Sequence, residues 1–104
     1  MTKWKQLRKQ IPIKVQIKAS IFYDIVWVQE FPTDCVGMTN FDKRQIQLKL
    51  GQTDKETVLT YLHELMHAIS GENDINLTEN QILKLEKSLY YVLKPANVFG
   101  VISE

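Results

Sequence analysis

The chain has 104 residues, 44% of them hydrophobic and 24% charged, and its formal net charge is +1 at pH 7. This length is enough for one hydrophobic core, so the chain is expected to be a single domain over residues 1–104. A nearly neutral chain has no strong electrostatic field, and the composition therefore argues against a nucleic-acid-binding or membrane-binding protein.

The ends of the chain and its cysteine content bear on location. The first twelve residues, MTKWKQLRKQIP, contain no apolar segment of the kind found in signal peptides. Cys35 is the only cysteine and has no partner for an intramolecular disulfide. We therefore expect a cytoplasmic protein, with an N-terminal arm or short helix at residues 1–10 and a C-terminal tail at residues 95–104.

Residues 13–50 carry strand patterns. Apolar and polar residues alternate in 13–18, and 21–31 is rich in β-branched and aromatic residues. Segments 36–39 and 45–50 flank the turn-rich segment 40–44, which is typical of a hairpin. We predict an α+β fold with a small antiparallel sheet of three to four strands, followed by two packed helices. If 45–50 is a free edge, it could hold an extended peptide by strand addition.

Two capping boxes predict where the helices begin. The first, TDKE at 53–56, opens a helix that Gly71 is expected to end as its C′ residue. The second, TENQ at 78–81, opens a helix running to Lys94, just before Pro95. The apolar face of this second helix is expected to contain Ile82, Leu85, Leu89, Val92 and Leu93.

The first predicted helix contains the only two histidines, in the sequence His63-Glu64-Leu65-Met66-His67. Side chains four residues apart share one face of a helix, so both imidazoles can bind one metal ion. Glu64 lies about a hundred degrees round the helix, where a solvent-facing carboxylate can reach a water on the metal without being a ligand. The spacing therefore predicts a metal site with a base beside it.

A zinc site needs at least three protein ligands, and the chain has no third histidine. The second helix is the natural source of a carboxylate, because a short loop folds it back beside the first. Glu79 lies in its first turn, where the helix dipole favours negative charge. Glu86 lies nearer the centre of the apolar face, where an unpaired carboxylate would be costly, and Asp74 in the loop is a third candidate.

Four parts of the chain together carry a family resemblance, namely 36–39 with 45–48 (VGMT and QIQL), 61–69 (YLHELMHAI), 77–82 (LTENQI) and 88–93 (SLYYVL). In this combination the sequence resembles the zincin metallopeptidases, and more narrowly small phage and prophage HExxH domains. The parts cover most of residues 13–94, although only the His-Glu motif is specific on its own. The metzincin continuation is excluded, because Ser70 and Asn73 stand where it requires Gly and His.

The resemblance implies that His63 and His67 are zinc ligands and that Glu64 is the catalytic base. It also implies that Glu79 occupies a position where a metal ligand is expected, which favours Glu79 over Glu86. The chain has Asn80 where a second acid is common, a difference that should not affect metal binding.

We therefore predict a zinc-dependent metallopeptidase, phage- or prophage-encoded, with Zn²⁺ as cofactor and a peptide or protein as substrate. The alternative is a non-catalytic metal-binding or structural domain that recognises a protein partner. The presence of Glu64 favours the enzyme. Tyr61, Tyr90 and Tyr91 are candidate donors to an oxyanion, with no preference among them, and the sequence makes no prediction of oligomeric state.

Overall fold

A computed structural model describes residues 11–95, so the predicted arm at 1–10 and residues 96–104 of the predicted tail lie outside the described residues. Four strands precede two helices. The strands are β1 (Lys14–Lys18), β2 (Ile21–Val28), β3 (Gly37–Asn40) and β4 (Gln45–Lys49), and the helices are α1 (Asp54–Glu72) and α2 (Glu79–Leu93). The predicted α+β class is confirmed.

The four strands form one mixed sheet in the order β1-β2-β4-β3. The β1–β2 and β3–β4 pairs are antiparallel, as predicted, whereas β2 and β4 are parallel. The connection 29–36 leads from β2 to β3 and leaves room for one strand between them. After the β3–β4 hairpin, β4 occupies this position. The condition under which 45–50 could hold an extended peptide, namely that it is a free edge, is therefore not met, and β3 is the edge strand on this side of the described sheet.

The hairpin between β3 and β4 closes through a tight turn at residues 41–44. Arg44 adopts a left-handed conformation with φ of 51°, and the Asn40 side-chain oxygen accepts a hydrogen bond from the Lys43 amide at 3.0 Å. An asparagine that bonds forward to the backbone stabilises such turns. The turn sets β3 antiparallel to β4, with Met38 opposite Gln47.

The hydrophobic core lies between the sheet and the helices. Ile46 and Leu48 of β4 are fully buried, as their alternation with glutamines predicts, and Tyr23 and Ile25 of β2 are buried as well. These side chains pack with residues of both helices, namely Val58, Tyr61, Leu62, Ala68 and Tyr90. Packing against the sheet therefore fixes the position and direction of α1, which carries the histidines.

Both helices begin at the predicted capping boxes, with Thr53 and Thr78 as N-cap residues. The prediction that Gly71 ends α1 is wrong, because the helix continues to Glu72 and is capped by Asn73. A Cβ at Gly71 would lie 2.8 Å from Cζ of Phe41, so this glycine lies directly against the Phe41 ring. Neither helix within residues 11–95 combines the length and the apolarity that a membrane span requires.

The buried face of α2 differs from the predicted one. Ile82, Glu86 and Tyr90 are buried at four-residue spacing, whereas Leu85, Leu89 and Val92 are exposed. The apolar periodicity predicted a face that includes the leucines, and it placed Glu86 near the centre of this face, where an unpaired carboxylate would be costly. Glu86 is buried because it has a histidine partner, and this contact turns α2 to a different face.

Candidate metal centre

The two histidines project from the middle of α1 into a cleft beside β3 and α2. Their ring centroids are 4.9 Å apart, and the Nε2 atoms of His63 and His67 are 3.2 Å apart. The His63 side chain is 15% exposed and that of His67 is 35% exposed. The imidazoles therefore lie at the boundary of core and solvent, as their edge position on the helix predicts.

The loop after α1 aims the first turn of α2 at these rings. The Ser70 hydroxyl donates to the Ile75 carbonyl and accepts from the Leu77 amide at 3.3 Å. The Ile75 amide in turn donates to the Ser70 carbonyl at 2.9 Å, and Asp74 takes a left-handed conformation with φ of 55°. Ser70, near the end of α1, thus bonds to the backbone of the segment that leads into α2. Glu79 follows at the first helical position of α2.

Three ligand-type atoms converge in the cleft. The Glu79 Oε1 atom lies 3.2 Å from Nε2 of His63 and 3.1 Å from Nε2 of His67. In a tetrahedral zinc site the ligand atoms are about 3.3 Å apart, given metal-to-ligand distances near 2.0–2.1 Å. The three donors therefore fit a zinc ion in spacing and in kind, with a fourth side open to the cleft.

Glu86 contacts the opposite side of the His63 ring. Its Oε1 atom is 2.5 Å from Nδ1 of His63, and the glutamate is only 7% exposed. An ionised carboxylate only accepts hydrogen bonds, so Nδ1 is the protonated nitrogen and Nε2 presents its lone pair to the cleft. Histidine ligands of metals are commonly oriented by a carboxylate in this way.

The same surroundings shift the proton affinity of His63. Burial lowers the pKa of the imidazole, but the hydrogen bond to Glu86 and the negative charges of neighbouring glutamates raise it, and the net direction is upward. The Nε2 atom of His63 faces the Glu79 carboxylate oxygen 3.2 Å away, and a cation placed between these two atoms is stabilised by both. The site therefore favours a positive charge, whether a proton or a metal ion.

Glu64 is more buried than the sequence suggested. It is 8% exposed, where a solvent-facing carboxylate was expected. The Thr39 hydroxyl donates to its Oε1 atom at 2.7 Å and lies 3.0 Å from its backbone carbonyl oxygen. Glu64 fits under β3 because Gly37 has no side chain, since a Cβ there would lie 3.2 Å from Cγ of Glu64. Its carboxylate still lines the cleft.

The cleft has a volume of about 700 Å³ and is lined by residues 35–39 and by side chains of both helices. His63, Glu64, His67, Glu79 and Glu86 all line it. Within residues 11–95 no tyrosine does, so Tyr61, Tyr90 and Tyr91 are not placed as oxyanion donors. The site is thus a concave, partly apolar pocket with its polar groups converging at one place, typical of ligand sites.

The structure brings together His63, Glu64, His67, Glu79 and Glu86, whereas Asp74 and the three tyrosines proposed from the sequence do not line the cleft. Among the described residues, His63, His67 and Glu79 form the one group of three or more whose potential ligand atoms all lie within 4.8 Å of one another. Glu86, the other main candidate for the third ligand, instead contacts Nδ1 of His63. Sequence reasoning missed Thr39, which acts from a strand 25 residues away and has no local signal.

Comparison with known proteins gives no further support for a family. No protein-family model, no curated protein and no solved structure matches this chain. The geometry of the site and the chemistry of its residues are therefore the only indications of function.

Proposed function

We propose that this protein is a zinc-dependent metallopeptidase in which His63, His67 and Glu79 bind the metal and Glu64 is the general base. The observation that supports it best is the convergence of two Nε2 atoms and one carboxylate oxygen at 3.1–3.2 Å, in a cleft that also holds a buried acid. A purely structural zinc site would need no open side and no adjacent base.

Each residue of the site has its own role in the proposed peptide hydrolysis. A bound zinc ion would supply a Lewis acid that polarises the scissile carbonyl and lowers the pKa of a coordinated water. Glu64 accepts the proton of the attacking water at its carboxylate and passes it to the leaving amine. Glu86 keeps the proton of His63 on Nδ1, so that Nε2 stays available as a ligand.

The edge strand β3 is suited to hold an extended substrate beside these residues. The Lys49 amide donates to the Val36 carbonyl at 2.9 Å, which marks residues 36 and 49 as a hydrogen-bonded pair. In an antiparallel ladder such pairs alternate, so the backbone groups of Gly37 and Thr39 point away from β4. A peptide that pairs with them would be a further strand of the sheet, placed along the cleft.

Metal content and hydrolysis test the proposal together. The parent protein should bind about one equivalent of zinc, and His63→Ala or His67→Ala should lose it. Zinc-loaded parent protein is incubated with a mixed peptide library, and new termini are identified by mass spectrometry. Glu64→Gln should lower the rate by about a hundred- to ten-thousand-fold while zinc content is unchanged.

Three outcomes would contradict the proposal in different ways. Retention of zinc by both histidine variants would remove the metal site. Full zinc binding without cleavage of any peptide by the parent would favour the alternative, a metal-binding domain that recognises a protein partner. Turnover by Glu64→Gln at the parental rate would remove Glu64 from the mechanism.

A further inference from the structure

The charges that line the cleft have one sign. Four glutamates line it, at positions 56, 64, 79 and 86, and no lysine or arginine of the described residues does so. Whole-chain charge gives no hint of this, since the chain as a whole is nearly neutral. The basic side chains of residues 11–95 therefore lie elsewhere, and the cleft lining has a local excess of acidic side chains.

The excess of negative charge remains when a metal ion is counted. Glu56 accepts hydrogen bonds from the Thr53 amide and hydroxyl at 3.1 and 3.0 Å, and these bonds lower its pKa, so it is ionised at neutral pH. Four carboxylates against one divalent ion leave two negative charges uncompensated. Like charges repel most strongly in a partly desolvated pocket.

The remaining part of the cleft lining is largely apolar. Val36, Met38 and Phe41 from the edge strand and its flanks line it, together with Leu59 of α1 and Leu83 of α2. Four of these five are exposed, since only Leu59 is partly buried. A group of exposed apolar side chains next to a polar site indicates a surface that a ligand covers.

We propose that the cleft selects apolar, uncharged or cationic stretches within a peptide chain and rejects acidic side chains and a free C-terminal carboxylate next to the metal. This inference depends on the proposed metallopeptidase function and narrows it to an activity other than carboxypeptidase. An enzyme that removes C-terminal residues must pair the substrate carboxylate with a cation, and the described lining offers none besides the metal.

Binding of matched zinc chelators measures this preference without requiring turnover. Three probes share an N-terminal hydroxamate, which binds the metal. The first continues with two leucines and a C-terminal amide, the second with two glutamates and an amide, and the third with two leucines and a free carboxylate. Zinc-loaded parent protein should bind the first at least about tenfold more tightly than either of the others, and high salt should reduce that difference.

A pair of leucines on α2 provides the matched variants. Leu83 lines the cleft and is 41% exposed, whereas Leu89 is 37% exposed and does not line it. Leu83→Lys should improve binding of the diglutamate probe at least about threefold relative to the dileucine amide, and Leu89→Lys should leave the ratio unchanged. Glu56→Gln keeps the capping box, in which glutamine also serves, and should relax the rejection in the same direction.

The results separate the specificity from the proposed function. Equal affinities for the three probes, or an unchanged ratio in both Leu83→Lys and Glu56→Gln, would overturn the specificity even if the parent cleaves peptides. The expected ranking without any hydrolysis would support the specificity as a property of a binding domain. A protein that binds no zinc would overturn both.

Discussion

At the scale of single residues, the site depends on which histidine nitrogen each glutamate contacts. Glu79 lies against both Nε2 atoms, whereas Glu86 lies against Nδ1 of His63 alone. The two glutamates are seven residues apart on α2, two turns of helix, so both face α1. Their roles differ because the ring of His63 stands between them.

The contact between Glu86 and His63 predicts a loss of metal affinity without loss of a ligand. Glu86→Ala should weaken zinc binding by about ten- to a hundredfold, because the ring loses its orientation and Nδ1 loses its acceptor. Glu86→Gln keeps an acceptor and should lose less. Competition with a chromophoric chelator at pH 7 measures both variants, and parental affinity in Glu86→Ala would contradict this role.

The hydrogen bond from Thr39 to Glu64 predicts a catalytic effect that spares the metal. Thr39→Val keeps the shape but removes the donor, so Glu64 loses the bond that orients its carboxylate. A hydrogen bond to a charged group contributes about 1.5–3 kcal/mol, so kcat on a cleaved peptide should fall about tenfold or more. KM and zinc affinity should stay within about twofold of the parent.

Thr39→Ser is the matched control for this prediction, because serine retains the hydroxyl and loses only the methyl group. It should restore most of the parental kcat. If the serine and valine variants are equally impaired, Thr39 contributes by packing and not by its hydroxyl.

At the scale of secondary-structure elements, two glycines allow close approaches of different kinds. Gly37 lets β3 pack on α1, where a Cβ would lie 2.5 Å from Cγ2 of Thr60. Thr60 is buried and β-branched, so it cannot move aside easily. Gly71 faces the outer end of the Phe41 ring, which is exposed and can rotate away.

These surroundings predict different responses of the two glycines to substitution by alanine. Gly37→Ala should lower the free energy of unfolding by about 1–3 kcal/mol, because it forces β3 away from α1. Gly71→Ala should be near neutral, since the ring can shift and alanine favours a helix over glycine by about 0.8–1 kcal/mol. Urea denaturation of both variants checks this, and equal losses would contradict it.

At the scale of the whole molecule, the end of α1 is fastened to the sheet through Glu72. Its Oε2 atom accepts hydrogen bonds from the Tyr23 hydroxyl at 2.7 Å and from Nε of Arg44 at 3.2 Å. The Lys18 ammonium donates to the Glu72 backbone carbonyl at 2.7 Å. One residue thereby joins the helix end to β1, β2 and the β3–β4 turn.

This contact predicts a pH dependence of stability. The hydrogen bond from Tyr23 is the main cause that lowers the pKa of Glu72 below its usual 4.5, with Arg44 and Lys18 adding to it. A depressed pKa in the folded state contributes stability above pH 4.5, and this contribution is lost as the pH falls through the folded value. In metal-free protein, the Tm difference between parent and Glu72→Gln should therefore shrink between pH 5 and pH 3.

Glu30→Gln is a suitable control, because Glu30 is an exposed glutamate in the connection between β2 and β3. Its Tm should follow the parent across the same pH range. A parent and a Glu72→Gln variant with parallel Tm curves would show that the carboxylate of Glu72 contributes no pH-dependent stability.

What the sequence determined by itself is local in origin. The capping boxes at Thr53 and Thr78, the strand alternation in β4 and the shared face of His63 and His67 all follow from contacts between residues two to four apart. Such patterns are visible in the order of residues because the helix and the strand have fixed periods. The α+β class and the candidate residues could therefore be predicted.

Only the tertiary structure decided how these elements meet. The parallel pairing of β4 with β2, the bond of Thr39 to Glu64 and the different contacts of Glu79 and Glu86 join residues 12 to 25 positions apart. No period in the chain encodes such contacts. The different roles of Glu79 and Glu86 arise from the packing of α2 on α1, where pairing with His63 offsets the cost of burying Glu86 and the leucines stay exposed.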